Sequence, residues 1–434
     1  MIEGKGRKLN ILKEVLKHEV FPALGCTEPI AVAHAAAIAA HEIDGDIEEI
    51  SITVDPGVYK NGFAVIVPNT GGEKGNLIAG VLGALIKKPE LKMEVLKDAK
   101  EEMLVRAKAL IRTKKAKITY DSSKTDLYIE VFLKTKEDSS KAVIENAHTN
   151  LVRLEKNNQT LFEKERKESS SAGKEYKAIL KEMTISELID SAQHMDDEDY
   201  DYIKRGIEMN LEISKAGQKL EKVGYYIFNS VNKGCLLNDV FLSSKILTAS
   251  AADARMAGID LPAMSSGGSG NQGIVTILVP YNAGKIFKIE EKIILQSIAL
   301  SHLINSYIKC FTGDLSPLCG CATAAGVCAA AALVYQQCGK DMEKITLAVN
   351  SLISDLGGML CDGAKGGCAL KVASATDSAI RCAFMALDNF GISHLEGFVG
   401  KTAEETIYNL SKISVLSMTK VNETILGIML DKKE

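Results

Sequence analysis

Apolar and polar positions follow two different periods in the first part of the chain. Apolar residues recur at helical spacing over residues 9–20 and predict an amphipathic helix, and the alanine-rich run over residues 28–41 predicts a second helix. Short β-branched runs bounded by turn residues predict strands. The predicted strands cover residues 47–54, 63–67, 116–120, 127–134 and 142–154, a hairpin turn at Asn157-Asn158 leads into residues 160–162, and further helices cover residues 75–86 and 91–111.

A change in composition then divides the chain. Residues 163–177 are charged and contain a short serine–glycine stretch, which is typical of an exposed linker. Beyond it helical periodicity dominates, with predicted helices over residues 185–193, 199–223, 239–256, 290–308, 322–338, 342–356, 369–388 and 403–430. The pattern predicts an α+β fold: a mixed α/β domain with a small, mostly antiparallel sheet over residues 1–178, followed by a mostly α-helical domain over residues 179–434.

Composition narrows the range of partners. With 434 residues, 46% of them hydrophobic, the chain is long enough to bury a large core. A net charge of −4, without basic runs interleaved with aromatic residues, argues against nucleic acid or an anionic membrane as partner. The longest apolar stretch, residues 321–335, is shorter than the ~20 residues that a membrane span needs, and charges interrupt the N-terminus. We therefore expect a soluble cytoplasmic protein that binds a small molecule, with a homodimer as the expected assembly.

Cysteine is concentrated late in the chain, where eight of the ten cysteines fall within residues 310–382. Cys321, Cys361 and Cys368 stand in glycine-rich turns, and glycine permits the backbone angles that a chain needs to fold around a bulky cofactor. In a reducing cytosol these residues are expected as thiols or metal ligands. Thiolates held by turns suit an iron–sulfur cluster, and three ligands leave one metal position open.

Two questions about this cysteine set stay open at the level of sequence. Cys319 lies beside Cys321, and the pattern does not choose between them as ligand. Zinc is the competing metal, although the sequence has no Cys-x-x-Cys pair and no histidine near these cysteines. Burial as small hydrophobic side chains is expected for the cysteines in helical patterns, which are Cys310, Cys328, Cys338 and Cys382.

An isolated cysteine, Cys26, stands just ahead of a predicted helix in the turn Gly25-Cys26-Thr27-Glu28-Pro29. Thr27 is the expected helix cap, with proline in the first turn. Because the free N–H groups of a helix start favour a thiolate, we expect a lowered pKa for Cys26. Such a thiolate is suited to act as a base, a nucleophile or a further cluster ligand, and an inert turn cysteine is the alternative.

A glycine-rich loop, defined here as residues 266–272, offers backbone N–H groups to an anion such as a carboxylate or phosphate. A flexible connector is the alternative interpretation. A similar but weaker run over residues 68–76 leads into a helix. The candidate binding residues of the loop are Ser266, Gly267, Gly268, Ser269, Gly270, Asn271 and Gln272.

Taken together, these motifs resemble a known family. The Gly25-Cys26-Thr27-Glu28-Pro29 turn, the SGGSGNQG loop, the Cys319-Gly320-Cys321 turn and the spacing of Cys361 and Cys368 are similar to those of the iron–sulfur L-cysteine desulfidases of UPF0597 type. That group is itself similar to the α-chain of bacterial iron–sulfur L-serine dehydratases. The resemblance covers nearly the whole chain, and its helical part resembles the serine dehydratase α-chain.

The resemblance implies a lyase that converts L-cysteine to hydrogen sulfide, ammonia and pyruvate with a [4Fe–4S] cluster. It implies Cys321, Cys361 and Cys368 as cluster ligands, Cys26 as the base and the glycine-rich loop as the site for the substrate carboxylate. L-Serine is a second expected substrate and serine dehydration the alternative main activity. Two other functions stay open: a pyridoxal-phosphate β-eliminase with Lys245 forming the imine, and a non-catalytic protein that binds zinc or iron.

Overall fold

A computed structural model describes residues 9–124, 126–164, 171–313 and 315–432. It confirms an α+β fold with an N-terminal mixed α/β part and a helical C-terminal part. The helices are α1 Ile11–Glu19, α2 Thr27–His41, α3 Pro56–Gly62, α4 Asn76–Ile86, α5 Glu101–Arg112, α6 Ser171–Glu182, α7 Ile185–Gln193, α8 Asp197–Gly217, α9 Val223–Asn232, α10 Val240–Met256, α11 Gly270–Ile286, α12 Glu291–Thr312, α13 Val327–Cys338, α14 Met342–Leu356, α15 Cys368–Leu387, α16 Ala403–Lys412 and α17 Val421–Leu430. The strands are β1 Pro22–Leu24, β2 Glu49–Val54, β3 Ala116–Tyr120, β4 Tyr128–Lys134, β5 Ser139–Glu145, β6 Leu151–Lys156, β7 Gln159–Glu163 and β8 Pro262–Met264.

Most strands form one sheet in the order β3-β2-β4-β5-β6-β7, in which only the β2–β3 pair is parallel. Strand β2 buries every second residue, so that Ile50, Ile52 and Val54 face the core while the intervening side chains remain half-buried. Helix α2 packs against β4 and β5 on this apolar face and against α4. It is buried on almost all sides because its alanines permit close approach.

The larger core belongs to the helical part, where α10, α11, α12, α13 and α15 pack on one another. Helix α1 contributes Leu12, Val15 and Leu16 to this same core although it opens the chain. A two-stranded antiparallel sheet of β1 and β8 pairs Pro22 with Met264. This pairing brings the turn that follows β1, with Cys26, beside the glycine-rich loop that follows β8.

Several sequence-based boundaries prove wrong for local physical reasons. Residues 63–67 form no strand, since Ile66 makes only an isolated bridge to Lys74. Residues 142–154 divide into β5 and β6, and residues 91–111 divide into a 3₁₀ segment, Pro89–Asp98, and α5. The helix predicted over residues 199–223 ends too late, since α8 ends at Gly217. The single helix predicted over residues 403–430 is broken, with a bend of 56° between α16 and α17. The Asn157-Asn158 hairpin turn is confirmed, both residues having positive φ.

Two helices near the cavity, α3 and α11, were missed. Asp55-Pro56-Gly57 has the composition of a turn. In the structure Asp55 accepts hydrogen bonds from Gly57 N and Val58 N and Pro56 occupies the first helical position, so α3 begins there. Helix α11 was missed because its first turn is glycine-rich and Pro280 lies inside it. Residues 165–170 of the predicted linker lie outside the described residues, and from Ser171 the segment is helical.

One helical stretch in the described ranges, Cys321–Cys338, is long and apolar enough to cross a membrane, and the bent pair formed by α16 and α17 passes the same test when counted together. The first stretch is 83% buried inside the protein, as expected for a core helix.

Candidate active site

A small cavity of about 100 Å³ lies where α2, α3, α10, α11 and α15 meet. It is far smaller than the roughly 300–1,000 Å³ typical of drug-sized ligands. Cys26, Cys319, Cys321, Cys361 and Cys368 all line it. The structure therefore brings the isolated cysteine and the cysteine turns together around one cavity.

The two cysteine turns are held side by side by their backbones. Leu318 and Leu360 form an isolated antiparallel bridge, and the N–H of Cys361 donates to the carbonyl of Pro317 at 2.8 Å. This pairing sets the spacing between Cys361 and the Cys319-Gly320-Cys321 turn.

Helix starts present the other two predicted ligands. Cys321 opens a π-helical turn, Cys321–Gly326, that runs directly into α13, in agreement with the prediction that an alanine-rich helix begins there. Cys368 is the first residue of α15. Both sulfurs thus lie near backbone N–H groups that helices leave without partners.

The loop between Cys361 and Cys368 is anchored on α3. The buried ammonium of Lys60 donates to the carbonyl of Cys361 at 2.8 Å, and Ala364 N donates to Asn61 O at 3.1 Å. Gly363 has φ +89° and lies so close that a Cβ placed on it would be 2.5 Å from the carbonyl oxygen of Lys60. A glycine is therefore required at this contact.

Cys26 occupies the N-cap position of α2 and is 4% exposed. Its thiol donates to Oε2 of Glu28 at 2.9 Å. The expected lowering of its pKa is wrong: burial first, and then the neighbouring Glu28 carboxylate, raise the pKa of Cys26 well above its ordinary value, and the nearby charge of Arg255 offsets this only in part. In this geometry Cys26 is a neutral thiol hydrogen-bonded to a carboxylate.

Glu28 is the centre of a buried hydrogen-bond network. Besides the thiol, Thr27 Oγ1 donates to Oε2 at 3.0 Å and Asn61 Nδ2 donates to Oε1 at 2.9 Å. Burial raises the pKa of Glu28, but the charge of His148 and the hydrogen bonds from Cys26 and Asn61 outweigh burial and lower it. Glu28 is therefore an ionised acceptor that touches Cys26.

Asn61 connects this network to the cysteine turns. Its Nδ2 group serves Glu28, while its Oδ1 atom lies 4.0 Å from the sulfur of Cys361, at the outer limit for a thiol donor. One side chain of α3 thus lies between the Cys26–Glu28 pair and a predicted ligand. Glu28 was quoted in the sequence motif without a role, and nothing in the sequence pattern around Asn61 marked it.

Four residues of the glycine-rich loop line the cavity. They are Gly268, Ser269, Asn271 and Gln272. Ser269 is the N-cap of α11, so the positive end of this helix faces the cavity, as expected for an anion site.

The other three loop residues support this wall and do not line the cavity. The hydroxyl of Ser266 is buried against His302 Nδ1 at 2.9 Å and receives Asn305 Nδ2 at 3.0 Å. Gly267 has φ +53°, and its carbonyl accepts the Lys309 ammonium. Gly270 lies against the guanidinium of Arg255. Their role is to fix the backbone of the loop.

The thiols are close enough to alter one another's protonation. The neighbouring thiol of Cys321, helped by the charge of Lys371, lowers the pKa of Cys319, although burial opposes this. The pKa of Cys321 is raised by its hydrogen bond with Cys319 and by burial, with further contributions from Cys368 and Cys361. Burial is the main cause of the raised pKa of Cys361 and of Cys368, which reaches about 11.

This donor set fits a group bound by thiolates. Four interacting thiols share one cavity, and Lys371, which donates to Leu360 O at 2.7 Å, and Lys60 place positive charge beside them. As the side chains stand, the described part of the chain holds no group of three or more His, Cys, Asp or Glu residues positioned to bind a metal ion. The fit is therefore one of donor chemistry and proximity.

The remaining cysteines lie outside this site. Cys328 and Cys382 are buried, as expected, but Cys338 is exposed and Cys310 half-buried, so burial as core residues is wrong for these two. Cys338 ends α13, where its side chain reaches the surface.

Lys245, the candidate for an imine, lies apart from the glycine-rich loop. Its ammonium pairs with Asp377 at 2.8 Å in a separate cavity of about 1010 Å³ lined by α9, α10 and α15. None of the loop residues 266–272 lines that cavity. The geometry that a pyridoxal-phosphate enzyme requires, a lysine beside the loop that holds the substrate, is therefore not formed by Lys245.

Comparisons with known proteins show which proteins this chain resembles. The family model described as serine dehydratase alpha chain matches residues 90–427. A UPF0597 protein of Geobacter sulfurreducens is 58% identical over 425 residues, covering 98% of this chain and 99% of that protein. UPF0597 proteins of Elusimicrobium minutum and Clostridium tetani are 54% and 42% identical, covering 98% and 97% of this chain and 100% and 98% of those proteins. No solved structure matches this chain.

Proposed function

The chain belongs to the serine dehydratase alpha chain family, in its UPF0597 branch, and on that premise we propose that it is an iron–sulfur lyase that converts L-cysteine to hydrogen sulfide, ammonia and pyruvate. Family membership makes it a serine dehydratase-like, lyase-type protein. The observation that carries the finer proposal is the convergence of Cys26, the glycine-rich loop and the cysteine turns on one cavity.

In this proposal Cys321, Cys361 and Cys368 hold a [4Fe–4S] cluster, and Cys319 is the neighbouring thiol. Support comes from the paired backbones of the turns and the buried ammonium of Lys60 beside Cys361. When bound, such a cluster supplies an iron with an open coordination position, which acts as a Lewis acid toward the leaving group. Lys60 and Lys371 offset the negative charge of the thiolates.

The glycine-rich loop holds the substrate. The N-terminus of α11, with the backbone of Gly268 and Ser269, faces the cavity and attracts the α-carboxylate. Fixing the carboxylate there restricts Cα to the neighbourhood of Cys26, which lines the same cavity. The site is small and buried, so that ordered binding excludes most water.

Cys26 and Glu28 move the proton. As the sulfur of Cys26 takes the proton from Cα, its own thiol proton passes to Oε2 of Glu28, 2.9 Å away, so that no free thiolate, which the raised pKa of Cys26 disfavours, has to accumulate. The electron pair of the Cα–H bond forms the Cα=Cβ bond, the Cβ–S bond breaks, and sulfur leaves with its electron pair. The aminoacrylate released then tautomerises to an imine that water hydrolyses to pyruvate and ammonia, so that no oxidant or reductant is consumed.

Dehydration of L-serine is the second candidate function. The matching family model is that of the serine dehydratase alpha chain, and the same residues serve a substrate whose leaving group is hydroxide. A small amino acid as partner, a cytoplasmic location and a homodimer belong to this proposal as well. We expect sulfur to leave more readily than oxygen because thiolate is the better leaving group of the two.

An assay of sulfide and pyruvate on anaerobically reconstituted protein tests the proposal. Wild type should release equal amounts of both from L-cysteine. Cys361→Ala should lose iron and activity, whereas Cys26→Ala should keep its iron but lose activity by about 10²-fold or more. Cys338→Ala, a change at an exposed cysteine, is the matched control and should behave like wild type. A wild-type protein that binds iron yet releases neither product from L-cysteine or L-serine would overturn the proposal.

A further inference from the structure

The described residues that line the cavity carry an excess of positive charge. Arg255, Lys309 and Lys371 line it, and Glu28 is the acidic residue among the described lining residues. Lys371 donates a hydrogen bond to the carbonyl of Leu360, beside the cysteine turns, and Lys309 donates to the carbonyl of Gly267. Arg255 also lies on the cavity wall, but the proposed reaction gives it no role.

Arg255 is buried in an unusual environment for a guanidinium. It lies in α10, is 3% exposed, and is surrounded by an alanine-rich sequence. Its Nη1 group donates to Oδ1 of Asn271 at 3.1 Å, while its Nε–H has no hydrogen-bond partner. No carboxylate in the described ranges lies within ion-pair distance of it. A buried guanidinium that lacks an anion is destabilising, because nothing compensates for the loss of its hydration.

A second positive pole meets Arg255 at the same place. The guanidinium lies against Gly270, the first residue of α11, so closely that a Cβ on Gly270 would be 2.3 Å from Nε. The N-terminus of a 17-residue helix carries roughly half a positive charge and free N–H groups. Two positive poles at one wall of the cavity repel each other, and an anion bound between them would offset that repulsion.

We propose that Arg255 and the N-terminus of α11 form the subsite that binds the substrate α-carboxylate, and that Arg255 determines the specificity for α-amino acids over amines. Asn271 is a positioning residue, since its Oδ1 atom accepts from Nη1 and so fixes the guanidinium at the cavity wall. The anion subsite follows from the arrangement itself, whereas the identity of the anion as the carboxylate of a thiol amino acid rests on the proposed function.

This assignment extends the role expected of the glycine-rich loop. Backbone N–H groups accept any anion, whereas a guanidinium favours a planar carboxylate through paired hydrogen bonds. The small cavity adds a limit on size, so we expect L-cysteine to bind better than its homologue with one more methylene.

Two small inhibitors distinguish binding through the substrate carboxylate from binding through the thiol and the ammonium. 3-Mercaptopropionate keeps the thiol and the carboxylate, and cysteamine keeps the thiol and the ammonium. With anaerobically prepared holoenzyme, Arg255→Gln should weaken inhibition by 3-mercaptopropionate by about tenfold or more and raise the KM for L-cysteine similarly. Inhibition by cysteamine should change less than twofold. Arg205→Gln, at an exposed arginine of α8, is the matched control and should leave all three values unchanged.

Equal weakening of both inhibitors, or no weakening of 3-mercaptopropionate, would overturn the assignment. If Arg255→Gln fails to fold, Gly270→Ala gives the same test, because its Cβ displaces the guanidinium without removing the charge. Calorimetric binding of 3-mercaptopropionate needs no turnover. This binding measurement therefore tests the subsite independently of turnover. A protein that binds 3-mercaptopropionate but eliminates neither sulfide nor water would contradict only the proposed function.

Discussion

Gly363→Ala tests how the loop that carries Cys361 and Cys368 is held on α3. Gly363 has φ +89°, and its missing side chain leaves room for the carbonyl of Lys60, which would lie 2.5 Å from an added Cβ. The obstacle is backbone, which cannot rotate away as a side chain can. The substitution must therefore push the loop from α3 and strain the contacts Lys60 Nζ–Cys361 O and Ala364 N–Asn61 O.

The expected magnitude has two parts. An alanine held at positive φ costs about 1–2 kcal/mol relative to glycine. Crowding against the Lys60 carbonyl adds about 1–3 kcal/mol, as for overpacked sites in protein cores. We therefore expect Gly363→Ala to lower the free energy of unfolding by about 2–5 kcal/mol, the sum of the two parts.

Gly366→Ala is the matched control in the same loop. Gly366 has no positive φ, and no atom lies within 4 Å of the position of an added Cβ. It should be neutral, or stabilising by up to about 1 kcal/mol through the unfolded chain. Urea unfolding of both variants gives the stabilities, and iron bound after anaerobic reconstitution reports the loop geometry. Equal stability and equal iron in the two variants would refute the packing of the loop on α3.

Three further outcomes follow from single contacts. Burial raises the pKa of Asp253 from 3.8 to about 6, so the folded protein holds a proton that the unfolded chain releases, and stability falls as pH rises through that window. The free energy of unfolding of Asp253→Asn should therefore rise relative to that of wild type as the pH increases from about 4 to about 6, by at most about 3 kcal/mol. A difference in urea midpoints that stays constant with pH would contradict this. Leu82→Ala in α4 should cost about 2–5 kcal/mol and Leu237→Ala, at a residue 85% exposed, less than about 0.5 kcal/mol in the same assay. The hydroxyl of Thr184 caps α7 by accepting a hydrogen bond from Glu187 N. Thr184→Ala removes this cap and should lower the free energy of unfolding by about 1 kcal/mol, measured by thermal unfolding.

The periodicity of apolar residues and the residue types found in turns were sufficient to predict most of the fold. Helices α7 and α14 have the bounds expected from periodicity, because each has a polar cap at its start and one apolar face. The β2 strand follows from its alternation, and the Asn157-Asn158 turn from the tolerance of asparagine for positive φ. These are local properties, which a sequence displays directly.

Long-range pairing was not predictable in this way. Strands β1 and β8 have three residues each and are far apart in sequence, so no periodicity marks them. Yet their pairing brings Cys26 to the glycine-rich loop. The division at residue 178 likewise stays a prediction, since α1 packs in the helical core and α6 spans that position.

The candidate site was predicted where residue type carries the chemistry. Cysteines in glycine turns stand out, and all four turn cysteines line the cavity. Arg255 and Asn61 were missed because one charged residue in an alanine-rich helix and one asparagine near a turn are common in any chain. The direction of the Cys26 pKa was wrong because burial and the Glu28 carboxylate outweigh the helix terminus, and sequence shows neither burial nor which rotamer meets a carboxylate.

Iron and acid-labile sulfide, measured per chain after anaerobic reconstitution, test most directly whether the cysteine turns hold a cluster. Wild type and Cys338→Ser should each bind about four irons per chain. Cys321→Ser, Cys361→Ser and Cys368→Ser should each lose most of that iron, while Cys319→Ser keeps it. Full iron in all three ligand variants, or a wild-type protein that binds none, would contradict the assignment of the cavity as a cluster site.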